Sequence, residues 1–458
     1  MKITLHDAAG AIGAAMPAMD ADVLAVSTDS RSAGAGELFV AIAGERFDGH
    51  DFLADVAARG ACAAVVAAGH PALANAPLPL LVVNDTRRAY GALAGWWRRH
   101  FAIPVIGIVG SNGKTTVKEM CAAILRSEFG KDAVLATTGN LNNDIGLPAM
   151  TLRLTPTHRV AVLEIGMNHP GETRALAAIA APTVALVNNA QREHQEFMKS
   201  VEAVAEEHAL LLDALDAQGI AVFNADDAFA PLWRARAGAR TVLDFGLVAG
   251  DVRGRFDAAS GGGRLHVASP WGEIDVDLAV PGEHNARNTC AAAAACLAAG
   301  ASLDAVRAGL SAFGGVKGRL QRRRGRDGVR LIDDTYNANP DSMRAAIDVL
   351  AAIPGHRVFV MGDMGEVGEN GAQMHDEVGG YARSRGIDRL LCLGEQSRAA
   401  AANFGDGGEH FTQVDGLLKA LRGDLRDGTT VLVKGSRFMR MERIADALAT
   451  EEGNDRAA

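Results

Sequence analysis

One segment indicates the fold of this 458-residue chain most clearly: Val105-Ile-Gly-Ile-Val-Gly-Ser-Asn-Gly-Lys-Thr-Thr116. Its first five residues are apolar apart from one glycine, as expected of a strand covered on both faces. Gly110 and Gly113 predict a tight turn, and a helical pattern begins at Lys114. A buried strand that leads through a glycine turn into a helix predicts a parallel α/β fold.

The same segment predicts a nucleotide site. Glycines let backbone N–H groups turn towards an anion, and a helix N-terminus adds positive potential. Lys114 can reach β- and γ-phosphates, and Thr115 or Thr116 can place a hydroxyl group on Mg²⁺. The spacing G-x-x-G-K-T-T is shorter than the strict phosphate-loop form, and the alternative is a glycine turn with an incidental lysine. We expect ATP and Mg²⁺ at these residues: Gly110, Ser111, Asn112, Gly113, Lys114, Thr115 and Thr116.

Short apolar runs recur on both sides of this segment. They cover residues 160–165, 184–187, 220–223, 357–360 and 431–433, with Ala- and Leu-rich helical stretches between them. This alternation is typical of parallel α/β architecture. We expect three domains: a small mixed α/β domain over residues 1–84, a central ATPase-like parallel sheet over 85–317, and a Rossmann-like domain over 318–458.

Composition excludes several classes of protein. The 46 basic and 55 acidic residues give a net charge of −9, which is unfavourable for a nucleic-acid partner. One basic run, residues 321–326, is expected to be a solvated surface turn. The five scattered cysteines include no C-x-x-C pair, which favours reduced thiols and a cytoplasmic location. No apolar run reaches the roughly 20 residues of a membrane span, and the N-terminal apolar stretch lacks the basic start of a signal peptide. We expect a monomer that does not insert into a membrane.

Further motifs follow one another along the whole chain, and together they resemble the Mur ligase family of ATP-dependent amide-forming enzymes. The motifs are Ser27-Thr-Asp-Ser-Arg31, Gly44-Glu-Arg-Phe-Asp-Gly-His50, Asn140-Leu-Asn-Asn143, Leu163-Glu-Ile-Gly-Met-Asn168, Pro281-Gly-Glu-His-Asn-Ala-Arg-Asn288, Gly318-Arg319, Asp333-Asp-Thr-Tyr-Asn337, Met361-Gly-Asp-Met-Gly-Glu366 and Lys434-Gly-Ser-Arg437. The later motifs are similar to the branch that joins D-alanyl-D-alanine to UDP-MurNAc-tripeptide through an acyl phosphate. The resemblance implies that UDP-MurNAc-tripeptide is bound by Ser27, Asp29, Ser30, Arg31, Phe47, Asn140, Asn142 and Asn143.

Three residues are expected to carry the phosphoryl-transfer chemistry. Lys114 would hold the developing charge on the transferred phosphoryl group. Glu164 ends a buried strand, where a carboxylate is costly unless it is paired or binds a metal. The resemblance implies that it holds Mg²⁺ together with Thr115, and the alternative is a salt-bridged core glutamate. His194 matches the family's metal-side histidine and follows a strand end, where α/β enzymes build their sites.

The chain departs from the family at one position. Many Mur ligases carry a lysine about 14 residues beyond that histidine, and this lysine can be carbamylated. Here His208 stands nearest to that position, and no lysine lies between residues 200 and 283. Either His208 or Glu207 substitutes for it, or the second Mg²⁺ is arranged without a carbamate, or His208 is only a helix-surface residue. We expect no carbamylated lysine.

The resemblance also implies nucleotide contacts from His284, Asn285, Asn288, Arg319 and Asp334. Asn288 could instead cap the Ala-rich helix that follows it. Arg319 and Asp334 would reach the nucleotide only when the third domain closes, and closure would keep water from the acyl phosphate. D-alanyl-D-alanine would be oriented by Asn337, Asn339, Ser342, Lys434 and Arg437, since its carboxylate favours basic partners. The alternatives are a helix cap at Ser342 and a solvent-facing charge at Lys434.

Other functions compete with this interpretation. A sister ligase that adds the third amino acid is disfavoured, because its D-N-P-R segment is replaced by Gly394-Glu-Gln-Ser-Arg398. A folate polyglutamylating ligase would share the phosphate loop but lack the motif at residues 27–31. A P-loop NTPase switch would hydrolyse ATP without an amine substrate. The sequence leaves open whether the third residue of the peptide is meso-diaminopimelate or lysine.

Overall fold

The computed structural model describes residues 2–259 and 262–450. The first part of the chain contains β1 (Ile3–Thr4), α1 (Leu5–Ile12), β2 (Asp22–Val23), β3 (Ala25–Ser27), β4 (Glu37–Val40), α2 (Leu53–Ala58), β5 (Ala63–Ala67) and β6 (Leu80–Val83). β1 and β2 form a small antiparallel pair. β3 to β6 form a parallel sheet in chain order. This is the small mixed α/β arrangement expected from the sequence.

A six-stranded parallel sheet follows. Its elements are α3 (Thr86–Arg98), β7 (Val105–Val109), α4 (Lys114–Phe129), β8 (Val134–Ala136), α5 (Gly146–Thr151), β9 (Val160–Glu164), α6 (Glu172–Ala180), β10 (Val184–Val187), α7 (Gln195–Met198), α8 (Val201–Asp213), β11 (Ile220–Phe223), α9 (Ala230–Ala237) and β12 (Thr241–Val242). The strand order is β12-β11-β10-β7-β9-β8, and all pairs are parallel. The winding reverses beside β7, which is where open α/β sheets bind ligands.

Both faces of this sheet are buried. Alternate residues of a strand point to opposite faces, so each strand contributes side chains to two cores. Val105 and Val109 belong to the core beneath α3 and α8. Ile106 and Ile108 belong to the core on the α4 side. That side is closed by β13 (Phe245–Gly246), β14 (Val252–Ala259), β15 (Gly262–Ser269), β16 (Gly272–Leu278), α10 (Glu283–Ala298) and α11 (Leu303–Ala312). Six of the seven alanines of α10, Ala286 and Ala291–Ala295, are fully buried, as expected for an Ala-rich interior helix.

The last part of the chain forms a second six-stranded sheet. Its elements are β17 (Gln321–Arg324), β18 (Arg330–Asp334), α12 (Pro340–Ala351), β19 (Arg357–Gly362), α13 (Gly371–Ser384), β20 (Arg389–Leu393), α14 (Arg398–Phe404), β21 (Gly408–Phe411), α15 (Val414–Arg422), β22 (Thr430–Lys434) and α16 (Glu442–Leu448). The order is β17-β18-β22-β19-β20-β21, and only β17 is antiparallel to its neighbour. Separate cores lie on its two faces. The predicted α/β class is confirmed.

The basic run at residues 321–326 is not the solvated turn expected from its charge. Most of it forms the edge strand β17, in which Arg323 faces inward and its two neighbours face outward. The Arg323 guanidinium lies 2.9 Å from Asp333 and 2.8 Å from Asp446. Strand alternation therefore buries the central arginine against two carboxylates, a pairing that the local sequence does not reveal.

Across residues 2–259 and 262–450, no helix combines the length and apolar character needed to cross a membrane.

Candidate active site

The segment Gly110–Thr116, called the phosphate loop below, connects β7 to the first turn of α4, as the sequence predicted. Gly113 has φ of 84°, and a Cβ atom there would lie 2.5 Å from Asn288 Oδ1, so the position requires glycine on two counts. The Lys114 ammonium donates to the carbonyl of Gly110 and lies 3.5 Å from that of Ser111. The lysine is therefore folded back over the concave loop in which an anion would sit.

The segment after β10 anchors this loop. Asn189 accepts hydrogen bonds from the backbone N–H groups of Ser111, at 3.1 Å, and Asn112, at 2.9 Å. Asn188 Nδ2 donates to the Asn112 carbonyl at 2.8 Å, and Asn112 Nδ2 donates to Gln191 Oε1 at 2.6 Å. The loops after β7 and β10 thus form one hydrogen-bonded unit at the carboxyl edge of the sheet.

On the other side of the loop, Glu164 ends β9. Its Oε1 accepts hydrogen bonds from Asn142 Nδ2, at 2.8 Å, and from Thr115 Oγ1, at 3.3 Å. Its Oε2 is buried and has no hydrogen-bond partner in the described part of the chain. No basic group pairs with Glu164 there either, so the salt-bridged alternative is not observed. A buried carboxylate oxygen left unpaired beside a hydroxyl group fits a divalent cation such as Mg²⁺.

Glu193 was not among the residues expected from the sequence. It is buried, with Oε2 at 3.4 Å from Lys114 Nζ and 3.7 Å from His194 Nε2, while Oε1 accepts from His208 Nε2 at 3.1 Å. Burial alone would raise the pKa of Glu193, but the charge of Lys114 and the His208 hydrogen bond hold it at about 2. The carboxylate is therefore ionised. Its position next to His194 was the only sequence signal.

His208 is not a helix-surface residue. Only 1% of it is exposed on α8, because the helix turns this side chain inward towards Glu193. Glu207 does not point to the same site. Its carboxylate accepts the backbone N–H groups of Gly171 and Thr173, both at 2.8 Å, at the start of α6. Of these two candidates, only His208 contacts the site.

His194 adopts a left-handed backbone conformation, with φ of 48°. Its Nδ1 lies 2.5 Å from the carboxylate of Glu366, which belongs to the loop after β19. Glu366 is also left-handed, with φ of 58°, and its carbonyl accepts the Glu196 N–H at 3.2 Å. The His194 hydrogen bond lowers the pKa of Glu366 despite partial burial. Such strain at two facing residues is typical of functional sites.

A cavity of about 400 Å³ lies between the two large sheets. Sequence-predicted nucleotide residues from both sides line it: Asn112, Gly113, Thr116, His284, Asn285, Asn288, Arg319 and Asp334. Burial lowers the pKa of His284 to about 4, which keeps the ring neutral. Asn288 is not a helix cap, because α10 begins five residues earlier; it accepts from Asn188 Nδ2 at 3.0 Å. The cavity extends past Asn224, Asp227 and Arg287, which were not predicted.

Residues from the last part of the chain, beyond α11, close this cavity. Arg319 Nη2 donates to Thr115 Oγ1 at 3.1 Å, and its guanidinium lies 4.1 Å from the Tyr336 ring. Lys434 is buried, not solvent-facing, and its Nζ lies 2.7 Å from Asp334 Oδ2. Burial lowers the pKa of Lys434, and Asp334 opposes this shift. Lys434 also donates to the Asn337 carbonyl at 2.8 Å.

The other residues expected near D-alanyl-D-alanine are divided. Asn339 caps α12, and Ser342 is its capping-box partner at the third helical position, so Ser342 is not itself the cap. Asn339 Nδ2 also donates to Asn112 Oδ1 at 3.0 Å, across the two sheets. Ser342 and Lys434 line the cavity between the two large sheets, whereas Arg437 is exposed and pairs with Glu442 at 2.9 Å.

The residues expected to bind UDP-MurNAc-tripeptide form a separate group. Asp29 pairs with Arg31 at 2.7 Å, and these contacts lower the pKa of Asp29 to about 2. Ser27 and Ser30 are half-buried beside them, and Phe47 is 74% exposed. In the central sheet, Asn140 is exposed, while Asn143 Oδ1 accepts the Gly146 N–H at 2.8 Å. Within residues 2–259 and 262–450, no hydrogen bond or ion pair joins Ser27–Arg31 to the phosphate loop.

Asp48, His50 and His70 have the spacing of a metal site. However, His50 Nε2 accepts the Ala67 N–H at 2.8 Å, and His70 Nδ1 accepts the Ala72 N–H at 3.2 Å. A neutral imidazole has one lone pair, so both rings must present N–H groups to Asp48. This cluster is a hydrogen-bonded support and offers no histidine ligand.

Three family models match the chain in order. The Mur ligase family catalytic domain matches residues 22–98, the Mur ligase middle domain matches 108–296, and the Mur ligase glutamate ligase domain matches 318–437. The UDP-N-acetylmuramoyl-tripeptide--D-alanyl-D-alanine ligase of Escherichia coli (strain K12) is 41% identical over 453 residues, 98% of each chain.

Solved structures agree with these matches. A structure named MurF from Acinetobacter baumannii is 34% identical and has a TM-score of 0.91, covering 98% of this chain and 99% of that one. The MurF ligase of Thermotoga maritima in complex with ADP is 26% identical, with a TM-score of 0.80 and coverage of 93% and 96%.

Proposed function

This chain belongs to the Mur ligase family, and we propose that it joins D-alanyl-D-alanine to UDP-MurNAc-tripeptide. The reaction consumes ATP and yields UDP-MurNAc-pentapeptide, ADP and phosphate. The identity of 41%, over 98% of each chain, to the UDP-N-acetylmuramoyl-tripeptide--D-alanyl-D-alanine ligase of Escherichia coli supports the substrate pair. The solved ADP complex of a related ligase supports nucleotide binding.

The observation that carries this proposal is the cavity between the two large sheets. Asn288 enters it from one sheet, whereas Arg319 and Asp334 enter it from the other. A nucleotide held there would lie with its phosphates towards Lys114 and its base towards Asn288. With a nucleotide bound, contacts from both sheets would limit the access of water to the phosphate loop, as an acyl phosphate requires.

The residues around the phosphate loop would act on the transferred phosphoryl group. Lys114 and Arg319 place two cations beside the loop, where they would hold its developing negative charge. Glu164 and Thr115 would hold Mg²⁺ on one side of the loop, and His194 would be a metal ligand on its other side. When bound, Mg²⁺ neutralises charge on the phosphates. The backbone of the loop would hold the transferred phosphate in line with the attacking carboxylate.

We assign substrate binding to the three predicted domains. Residues 1–84 would hold UDP-MurNAc-tripeptide through Ser27–Arg31 and Phe47. Residues 85–317 would hold ATP and, through Asn140, Asn142 and Asn143, the peptide end. Residues 318–458 would orient D-alanyl-D-alanine with Asn337, Asn339 and Arg437. Lys434 and Ser342 line the nucleotide cavity, so their contribution would be through its closure.

The proposal is tested by phosphate release with ATP, Mg²⁺ and UDP-MurNAc-tripeptide, with and without D-alanyl-D-alanine. Release that requires both substrates, with a product heavier by one dehydrated dipeptide, is the expected result. Tripeptides ending in meso-diaminopimelate and in lysine should be compared. Release that is indifferent to D-alanyl-D-alanine would contradict the proposal and favour an NTPase switch. Release that requires a single amino acid would favour the sister ligase.

A further inference from the structure

One exposed aromatic side chain stands beside the candidate active site. Phe438 is 63% exposed and lies in the short helical turn Arg437–Met439 that follows β22. Its neighbour Met439 packs against the core on one face of the second six-stranded sheet, whereas Phe438 belongs to none of the hydrophobic cores of the described residues. A single exposed apolar residue is ordinary, and Phe438 is distinguished by where its ring lies.

The ring lies against Gly365, in the loop after β19. A Cβ atom on Gly365 would be 3.0 Å from Phe438 Cε1, so the ring rests on the backbone of this loop. Ser436 ties the neighbouring loops together, because its Oγ accepts the Gly365 N–H at 2.7 Å and donates to the Ala338 carbonyl at 3.1 Å. The segments after β18, β19 and β22 therefore place the ring at the carboxyl edge of the sheet.

This position leads towards the phosphate loop. Glu366 is the next residue of the loop after β19, and its carboxylate lies 2.5 Å from His194 Nδ1. His194 belongs to the segment after β10 that also anchors the phosphate loop, where Lys114 would hold the transferred phosphoryl group. Consecutive Cα atoms are about 3.8 Å apart. The Phe438 ring therefore stands about one residue beyond the contact that joins the second six-stranded sheet to the reacting side of the site.

We propose that Phe438 is a specificity-determining residue for the acceptor, and that its ring packs against the methyl group of the C-terminal alanine of D-alanyl-D-alanine. This inference rests on the proposed function. The amine of the dipeptide must reach the acyl phosphate, so its second residue lies farther from the phosphate loop, by roughly 3.5 Å of extended chain. Arg437 is the proposed partner of the dipeptide carboxylate, so the carboxylate and the methyl group of one alanine would meet adjacent residues of the protein.

The alternative role for Phe438 is to brace the loop after β19. Its ring is mostly exposed, so it buries little apolar area in the fold, and Ser436 already fixes that loop by hydrogen bonds. A methyl group placed on the ring would instead cover apolar surface that faces water, which is favourable. One methyl group in an apolar site changes kcat/KM by about 10–200-fold. Because Phe438 supplies a single wall, we expect the lower end of that range.

Two acceptors that differ by this one methyl group test the inference: D-alanyl-D-alanine and D-alanyl-glycine, each with saturating ATP, Mg²⁺ and UDP-MurNAc-tripeptide. The wild type should prefer D-alanyl-D-alanine about tenfold in kcat/KM. Phe438→Ala should lose this preference, because kcat/KM falls for D-alanyl-D-alanine and changes little for D-alanyl-glycine. The KM for ATP should not change. Phe438→Leu, which keeps an apolar surface, should restore most of the preference.

Trp271→Ala is the matched control. Trp271 is another exposed aromatic residue, 54% exposed, and it lies at the turn between β15 and β16. This variant should keep the preference of the wild type. Thermal unfolding of Phe438→Ala should match that of the wild type, since the ring contributes little to the core.

Gly365→Ala gives a second test, because its new Cβ would press on the Phe438 ring. It should lower the preference in the wild type and have no further effect in Phe438→Ala, as expected of two residues in contact. An equal loss for both dipeptides in Phe438→Ala, an unchanged preference, or a wild type without preference would overturn the inference and leave the proposed function intact. Failure of the wild type to ligate either dipeptide would refute the proposed function and this inference together.

Discussion

Arg192 and Asp341 form a bidentate ion pair that joins the two large sheets. Arg192 Nη2 lies 2.7 Å from Asp341 Oδ1, and the Arg192 backbone N–H donates to Asp341 Oδ2 at 2.9 Å. Glu377 of α13 completes the contact at 2.8 Å. Arg192 stands between Gln191, which binds the phosphate loop, and Glu193. Helices α12 and α13, which pack on the second six-stranded sheet, are therefore attached to the segment that shapes the phosphate loop.

Arg192→Gln should loosen this attachment. Charge-assisted hydrogen bonds of this kind contribute roughly 1.5–3 kcal/mol each, so we expect kcat/KM for ATP to fall at least about tenfold. Small-angle X-ray scattering should show a larger radius of gyration in the presence of nucleotide. Arg344→Gln is the control, because Arg344 of α12 binds the same Glu377 without an ion pair to the central sheet in the described part of the chain. Equal losses in both variants would contradict a specific role for the pair.

Arg319→Ala should uncouple ATP hydrolysis from ligation or abolish turnover. Its guanidinium reaches from the segment before β17 to Thr115 at the start of α4. Without it, we expect the site to close incompletely, so that water reaches the acyl phosphate. Phosphate release and pentapeptide formation are measured in the same reaction, and their ratio should rise well above one. Unchanged ligation would show that Arg319 has no part in closure.

Gly113→Ala should abolish nucleotide binding. The added Cβ would lie 2.5 Å from Asn288 Oδ1 and 2.7 Å from Asn188 Nδ2, both in the nucleotide cavity. Gly171→Ala separates strain from collision, because Gly171 has nearly the same left-handed conformation, with φ of 89° and ψ of −11°, and no atom within 4 Å of an added Cβ. That control should lose about 1–2 kcal/mol of stability and bind nucleotide normally. Nucleotide titration followed by calorimetry gives the comparison.

Lys434→Met should destabilise the protein strongly. The Lys434 ammonium is buried against Asp334, and removing it leaves a carboxylate uncompensated. Breaking a buried pair in this way costs about 3–5 kcal/mol. The double variant Asp334→Asn, Lys434→Met should recover most of the loss, because no charge is left unpaired. Urea unfolding of all three proteins measures the difference, and a stable single variant would contradict the pairing.

Glu193 should make stability depend on acid. Its pKa is held at about 2 in the fold, against 4.5 as the ordinary value. Its contribution is therefore complete above about pH 4.5 and is lost as the pH falls towards 2, because the unfolded chain takes up the proton first. Thermal unfolding between pH 7 and 3.5 should show a smaller decline in Glu193→Gln than in the wild type. Asp29→Asn should follow the wild type, since the exposed Asp29–Arg31 pair is screened by solvent.

Sequence patterns predicted the elements whose signals are local. The strand at Val105–Val109, the turn at Gly110–Gly113 and the helix from Lys114 were recognisable because periodicity and glycine placement act within a few residues. The position of Glu164 at a strand end followed from the same reasoning. These features depend on backbone conformation, which neighbouring residues largely determine.

Side-chain pairings between distant segments were not accessible in the same way. Arg323, His208 and Lys434 are each buried beside a carboxylate that the fold brings to them. The partners are too far apart along the chain for a local sequence pattern to predict the pairing. Glu193 joined the site for the same reason, because Lys114 and His208 meet it only after β7, β10 and α8 have packed. The sequence alone thus determined the order of strands, turns and helices and the phosphate loop. Only the tertiary structure decided which buried charges neutralise one another, since a charge is stable in the interior only next to a partner that packing brings to it.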